Sequence, residues 1–313
     1  MMLTQQLNRF GRCWGIASLV LAAGLSRSTP AAELPPGRIV LNGERDGNRE
    51  IYRLDLPDLT VHRLSRNPGA DEEPELSPDG CWMAYHSERD GNRDLYQMRW
   101  DGSGEIRLTT QPGIDEDASW SPDGRQIAFW SKRGGVENLF SMPAGGGQQR
   151  KLTHNRSRST MRVPAWSPDG KRIAYTSNRS GTHQVYVLDL ASGADRAVSE
   201  GRPGSCRPDW SPAGELAYVH VEGSLGMLSQ LFSRNADIVL RSLDGRREER
   251  PLTRDPHHDY DPAFSPEGRW IVFASNRHGD YDLFALELAS GAERRLTDWK
   301  GDERAPHWGP LCR

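Results

Sequence analysis

A short turn, Ser-Pro-Asp-Gly or a close variant, begins at Ser77, Ser121, Ser167, Ser211 and Ser265. The spacings are 44, 46, 44 and 54 residues. A period of this size marks a chain built by repeating one supersecondary unit. Two further markers run in phase with the turn. One is the series "GERDGNREIY" (43–52), "SERDGNRDLY" (87–96), "SKRGGVENLF" (131–140), "SNRSGTHQVY" (177–186) and "SNRHGDYDLF" (275–284). The other is a basic-Leu-Thr step ending at Ser65, Thr109, Thr153 and Thr297, with Pro251-Leu252-Thr253 as a variant.

Within the unit 163–199, four short runs read as strands: Val163–Trp166, Arg172–Thr176, Gln184–Leu188 and Asp195–Val198. Gly, Pro, Asp, Asn and Ser separate them, as turns require. In the second run Ile173 and Tyr175 fall on one side of the pleat, with Ala174 and Thr176 on the other. Large and small side chains can therefore interleave between stacked sheets. A four-stranded unit of 40–45 residues predicts a blade of a β-propeller. The fold class is all-β: six four-stranded antiparallel blades.

The count also predicts how the ring closes. The first unit begins at Gly37 with its second strand and has no first strand of its own. The C-terminal "ERAPHWGPLCR" (303–313) carries a first strand and no blade. Joining the two completes the sixth blade and leaves no inner strand unpaired.

Residues 1–32 read differently. Arg9, Arg12 and Arg27 are present without an acid, around a 13-residue apolar run, "CWGIASLVLAAGL" (13–25). Small residues follow. That is the pattern of a secretory signal peptide, cut near Ala31 or Ala32. The expected organisation is a cleaved signal, 1–32, and one propeller domain, 33–313, in the periplasm or secreted. Cleavage would take the net charge from −3 to −6. An acidic balance excludes the basic face of a nucleic-acid binder. Cys81, Cys206 and Cys312 remain, an odd count with no Cys-x-x-Cys pair. Cys312 aligns with the turn glycines and Cys81 follows such a turn in the neighbouring blade. A bridge between them requires Cα atoms within about 7 Å.

The run Pro-x-Trp-Ser-Pro-Asp-Gly-x-x-Ile-Ala-Tyr-x-Ser-x-Arg-x-Gly resembles the repeat of the TolB-type, WD-repeat-like β-propellers and recurs from Gly37 to Pro310. The resemblance implies a periplasmic protein-binding module of the cell envelope. The chain reads as a stand-alone propeller, without the α/β domain that precedes the propeller in TolB. Similar blades also occur in lyases and as covers of prolyl-oligopeptidase-type enzymes.

Residues repeated in most blades read as structural, among them Asp79, Asp123 and Asp169, and Arg45, Arg89, Arg133, Arg179 and Arg277. Trp120, Trp166, Trp210 and Trp308 read as packing residues. What varies is the loop leading into each first strand. These loops surround the channel mouth. Two carry Asp71, Glu72 and Glu73, then Asp115, Glu116 and Asp117. The next two are basic, with Arg156, Arg158 and Arg162, then Arg202 and Arg207. The last two carry Asp259 and Asp261, then Asp302, Glu303 and Arg304. The expectation is a mouth with separated charge, either a docking face for a complementary partner or simply solvated loops. About ten extra residues in one blade place Leu225, Leu228, Leu231 and Phe232 at helical spacing, as a flap beside the mouth or a short helix packed on its own blade.

No G-x-S-x-G, P-loop or H-E-x-x-H pattern occurs, and no catalytic residue is assigned. Three readings follow. The first is a monomeric, non-enzymatic envelope scaffold that binds a protein or peptide. The second is a carbohydrate or cell-wall-fragment binder using Tyr260 and Trp299. The third is a metal-dependent enzyme using His257 and His258. No cofactor is expected beyond Ca2+, which the acidic channel leaves open.

Overall fold

The computed structural model describes residues 33–45, 47–155, 159–199, 204–221, 235–244 and 249–312. The expected signal segment, the flap residues Leu225, Leu228, Leu231 and Phe232, and Arg156, Arg158 and Arg202 lie outside them. The described residues form six four-stranded antiparallel sheets in a ring, and they contain no helix.

Blade 1 takes its inner strand, Glu303–Gly309, from the C-terminal end, and its other strands from Gly37–Glu44, Arg49–Leu56 and Thr60–Arg63. The inner strands of blades 2 to 6 are Asp71–Leu76, Ile114–Trp120, Arg162–Trp166, Ser205–Trp210 and Asp259–Phe264. The closing pairs are Ile39 with Trp308, Val40 with His307, and Gly43 with Glu303. The predicted ring closure is therefore present.

Each repeated marker has a local task. The turn serine accepts the N–H that restarts the chain, as Ser77 Oγ does from Trp82 at 3.0 Å. The turn aspartate in turn accepts from Ser77 Oγ at 2.5 Å and from the Cys81 N–H at 3.0 Å. The Thr or Ser of the third marker caps the third strand. Thr109 Oγ1 accepts from the Leu95 N–H, and Thr297 Oγ1 from the Leu283 N–H, at 2.9 and 2.8 Å. Each of these two capping bonds satisfies a buried backbone donor that water cannot reach.

The core lies between blades. Ile173 and Tyr175 of blade 4 pack with Ala128 and Trp130 of blade 3. Ala174, on the other face, packs with Leu216 and Tyr218 of blade 5. This is the expected interleaving, and it explains why one blade cannot stand alone. Trp120 and Trp210 pack as expected, and their indole N–H groups donate to the Glu75 and Ala165 carbonyls of the preceding blade, both at 3.1 Å.

Cys81 and Cys312 are bridged, with Cα atoms 4.5 Å apart. The bridge fastens the end of the closing strand to the next blade. Gly80, at a φ of 68°, makes this crossing possible, because a Cβ there would stand 2.1 Å from the Pro310 carbonyl oxygen. The bridge spans 231 positions. Constraining so long a loop makes Cys312→Ser cost about 3 kcal/mol, a fall in Tm of roughly 6–12 °C. A calorimetric melt of the serine variant checks this. In the unreduced, denatured protein Cys81 and Cys312 should both resist alkylation.

Candidate functional site

The bore is lined by the six inner strands, and each carries a bulge at the same register. At each bulge one non-glycine residue adopts a positive φ: Glu73, Asp117, Val163, Arg207, Asp261 and Ala305, at values between 49° and 56°. This conformation is costly for side chains with a Cβ, and most of all for β-branched valine. Six strained residues therefore stand in one ring at the mouth.

Three of them form an ion-pair latch. Arg207 of blade 5 reaches across the bore to Glu73 of blade 2, its Nη1 2.9 and 3.0 Å from the two carboxylate oxygens. Its Nε lies 2.8 Å from Asp261 Oδ1. Arg304 Nε donates to Asp261 Oδ2 at 2.9 Å. Burial alone would raise Asp261, but Arg207 and Arg304 outweigh it and hold the carboxyl at about 2. At Glu73 burial wins over the single arginine and the carboxyl rises to about 7.

Among the described residues the charges at the mouth are paired rather than separated as expected. Acids and bases from different blades meet and neutralise one another across the ring. Arg162 pairs with Glu137 at 2.8 Å, and Glu116 with Arg93 at 2.5 Å. Glu72 receives Arg49 and lies 3.5 Å from His86 Nε2. The imidazole and then the guanidinium hold Glu72 at about 2. Asp117 Oδ2 accepts the Val163 N–H at 3.1 Å, and Asp302 Oδ1 the Tyr281 N–H at 3.0 Å.

Four of the expected mouth acids are not on the surface. Asp71, Asp115, Asp259 and Glu303 are at most 1 % exposed. They precede the bulge and point into their own blades. There the repeated arginines meet three of them: Arg89 with Asp71 and Arg277 with Asp259 at 3.2 Å, and Arg133 with Asp115 at 3.5 Å. Their role is structural. Blade 1 departs from this pattern, since Arg45 lies over the Trp299 ring at 4.7 Å.

His86 escaped the sequence reading. It is buried on a second strand beside the mouth, with Glu116, Asp117 and Glu72 raising its pKa against the effect of burial. No motif marks it. Comparison across blades shows only that Asn42 and Thr176 occupy the matching positions, where they accept the N–H groups of Glu73 and Arg207.

The cavity at the latch has a volume of about 90 Å3. The aromatic candidates for sugar stacking are engaged elsewhere. Tyr260 is buried beside His258 and Tyr281, and Trp299 packs on Tyr52 at 5.2 Å. His257 Nδ1 lies 3.1 Å from Asp255. Among the described residues no group of three or more His, Cys, Asp or Glu side chains is arranged to hold a metal ion.

Below the latch the bore has a waist, formed by Glu75, Asp209, His307 and Ala165. Glu75 Oε1 accepts the Trp120 N–H at 2.7 Å, Asp209 Oδ2 the Phe264 N–H at 2.8 Å, and His307 Nδ1 the Leu76 N–H at 3.1 Å. Each bond stitches a blade to the next. Burial raises Glu75 to about 8 and Asp209 to about 7, and lowers His307 to about 4. A carboxyl raised on folding contributes most below its unfolded pKa, and that contribution is lost as pH climbs through the folded value. The variant Glu75→Gln with Asp209→Asn should match the wild type near pH 4 and exceed it at pH 9 by a few kcal/mol. Urea titrations at the two pH values read the difference.

Comparison with known proteins agrees with this architecture. The TolB beta propeller domain model matches residues 23–112, 91–163 and 113–312. The Tol-Pal system protein TolB of Francisella tularensis subsp. mediasiatica is 28% identical over 96 residues, 31% of this chain and 21% of that protein. The match therefore spans about a fifth of that relative's length. Among solved structures, TolB from Acinetobacter baumannii superposes with a TM-score of 0.74 at 21% identity, over 88% of this chain and 67% of that one. A putative TolB from Agrobacterium tumefaciens gives 0.66 at 23% identity, over 88% of this chain and all of that one. Matched along almost its whole length, and with five of its six blades built on the same turn, this chain belongs to the TolB beta-propeller family.

Proposed function

We propose that this protein is a non-enzymatic, periplasmic protein-binding module of the bacterial cell envelope, which docks a partner on the mouth face of its propeller. The observation that carries this reading is the strained ring at the bulges. Backbone strain is kept where it serves a site, and here it holds Glu73, Asp117, Arg207 and Asp261 around one opening. The latch leaves too little room for a sugar ring or a drug-sized ligand, whose pockets run to about 300 Å3 or more. A partner would therefore sit on the face rather than enter it. The kinship with Tol-Pal system proteins supports an envelope setting.

The test is affinity capture from envelope extract, comparing wild type with a variant carrying Arg162→Glu and Glu72→Lys. The reversed variant should lose the partner. For the wild type, affinity should fall about tenfold or more between low and high salt, because exposed charges are screened over about 8 Å at physiological strength. A partner held equally well by the variant, or one indifferent to salt, would exclude the mouth as the docking face.

A further inference from the structure

At the end of the bore away from the mouth, the five Ser-Pro-Asp-Gly-type turns and the C-terminal Gly309-Pro310 enclose a second cavity of about 310 Å3. One turn proline from each blade forms its collar, from Pro78 round to Pro310. Trp120, Trp166, Trp210 and Trp308 form its walls. Its floor is the waist, where Glu75 and Asp209 stand on blades 2 and 5, diametrically opposed in a ring of six. We propose that this vestibule is a binding site for an organic ammonium ion, whose apolar body lies among the tryptophans and prolines and whose charge meets Glu75 and Asp209.

Three observations converge on that ligand class. The first is the charge of the lining. It holds two carboxylic acids and neither lysine nor arginine, and its one imidazole, His307, is spent as an acceptor. An anion finds no partner there.

The second is that the fold does not require these acids. At the same register the other blades carry Ser119, Ala165 and Ala263. Those blades close equally well. Two opposed carboxyl groups at the bottom of an apolar cavity are a poor choice for stability, because each resists ionisation while the other is near. A bound cation removes that conflict. Glu75, Asp209 and His307 all keep part of their surface accessible, and they line both cavities of the bore.

The third is size and wall chemistry. A volume of about 310 Å3 lies at the lower end of the range for small-molecule sites, which are mostly apolar with a few convergent polar groups. Tryptophan is the aromatic residue best suited to attract a cation. A compact ammonium with one ring or a short chain meets all of these conditions. The site is independent of the docking role assigned to the mouth.

The experiment is a titration of the intact protein at pH 8.5 with benzylammonium chloride, followed by calorimetry and tryptophan fluorescence. Benzyl alcohol serves as the uncharged comparison. The ammonium should bind and perturb the fluorescence, with the alcohol at least tenfold weaker. Losing a charged hydrogen-bond partner costs roughly tenfold to a hundredfold in affinity, so Glu75→Gln and Asp209→Asn should each weaken binding by that factor. Both replacements keep an acceptor oxygen for the Trp120 and Phe264 N–H groups. Glu73→Gln, at the mouth, should leave the affinity unchanged. Absence of binding up to about 10 mM would overturn the proposal. So would equal affinity for the alcohol, or a Glu75→Gln, Asp209→Asn double variant that binds as the wild type does.

Discussion

A chain lacking Arg304–Arg313 is expected not to fold as a stable monomer. The deletion removes the inner strand that pairs with Gly37–Glu44. It takes Trp308, which is 3 % exposed and packs with Ile39 and Leu54. Loss of a buried tryptophan alone costs about 3–5 kcal/mol. His307, which accepts the Leu76 N–H, and Cys312, which holds the ring to blade 2, go with it. The remaining edge of blade 1 is a long, buried-type strand with nothing to pair with, and such an edge recruits other chains. Light scattering behind a sizing column should show aggregates or exchanged oligomers. A monomer with an unchanged melting temperature would refute the closure.

Arg207→Met should be the most damaging single substitution at the mouth. It leaves Asp261 with Arg304 alone, and Glu73 without its partner. Removing one member of a largely buried ion pair costs on the order of 3 kcal/mol, or roughly 6–12 °C in Tm. The cost lies mainly in the charges left behind. Adding Glu73→Gln to Arg207→Met should therefore recover much of the loss, since Asp261 keeps Arg304 and only Glu73 is left without a partner. If the double variant melts as low as the single one, the latch is not electrostatic and packing of the arginine stem accounts for the effect.

The propeller was legible because its signals are local. A Ser-Pro-Asp-Gly turn closes within four residues, so counting turns counts blades, and the unmatched strand at 303–309 follows from the count. Cys81 and Cys312 could be named as candidate partners for the same reason, since both sit at fixed offsets from turns, but the bridge itself is established by the closed ring. The mouth was not legible, for two physical reasons. Side chains alternate along a strand only while its pleat is regular, and the bulges at Glu73, Asp117, Val163, Arg207, Asp261 and Ala305 re-aim what precedes them. Asp71, Asp115, Asp259 and Glu303 turned inward as a result. A proline follows the bulge residue in five of the six inner strands, at 74, 164, 208, 262 and 306, and that is the signal that regular alternation ends there. The other reason is distance along the chain. Arg207 and Glu73 are 134 positions apart and meet only because the ring brings opposite blades face to face. No loop-by-loop reading of charge contains that pairing.

The closing strand also sets a clock. Gly43 and Glu303, which pair in blade 1, are about 260 positions apart. At about 5–20 residues per second of synthesis, the strand Gly37–Glu44 exists for tens of seconds before its partner does. Until that partner arrives, the first blade is a three-stranded sheet with an exposed hydrogen-bonding edge. The strand Glu303–Gly309 retires this hazard, and the cystine at Cys312 fastens it to the next blade.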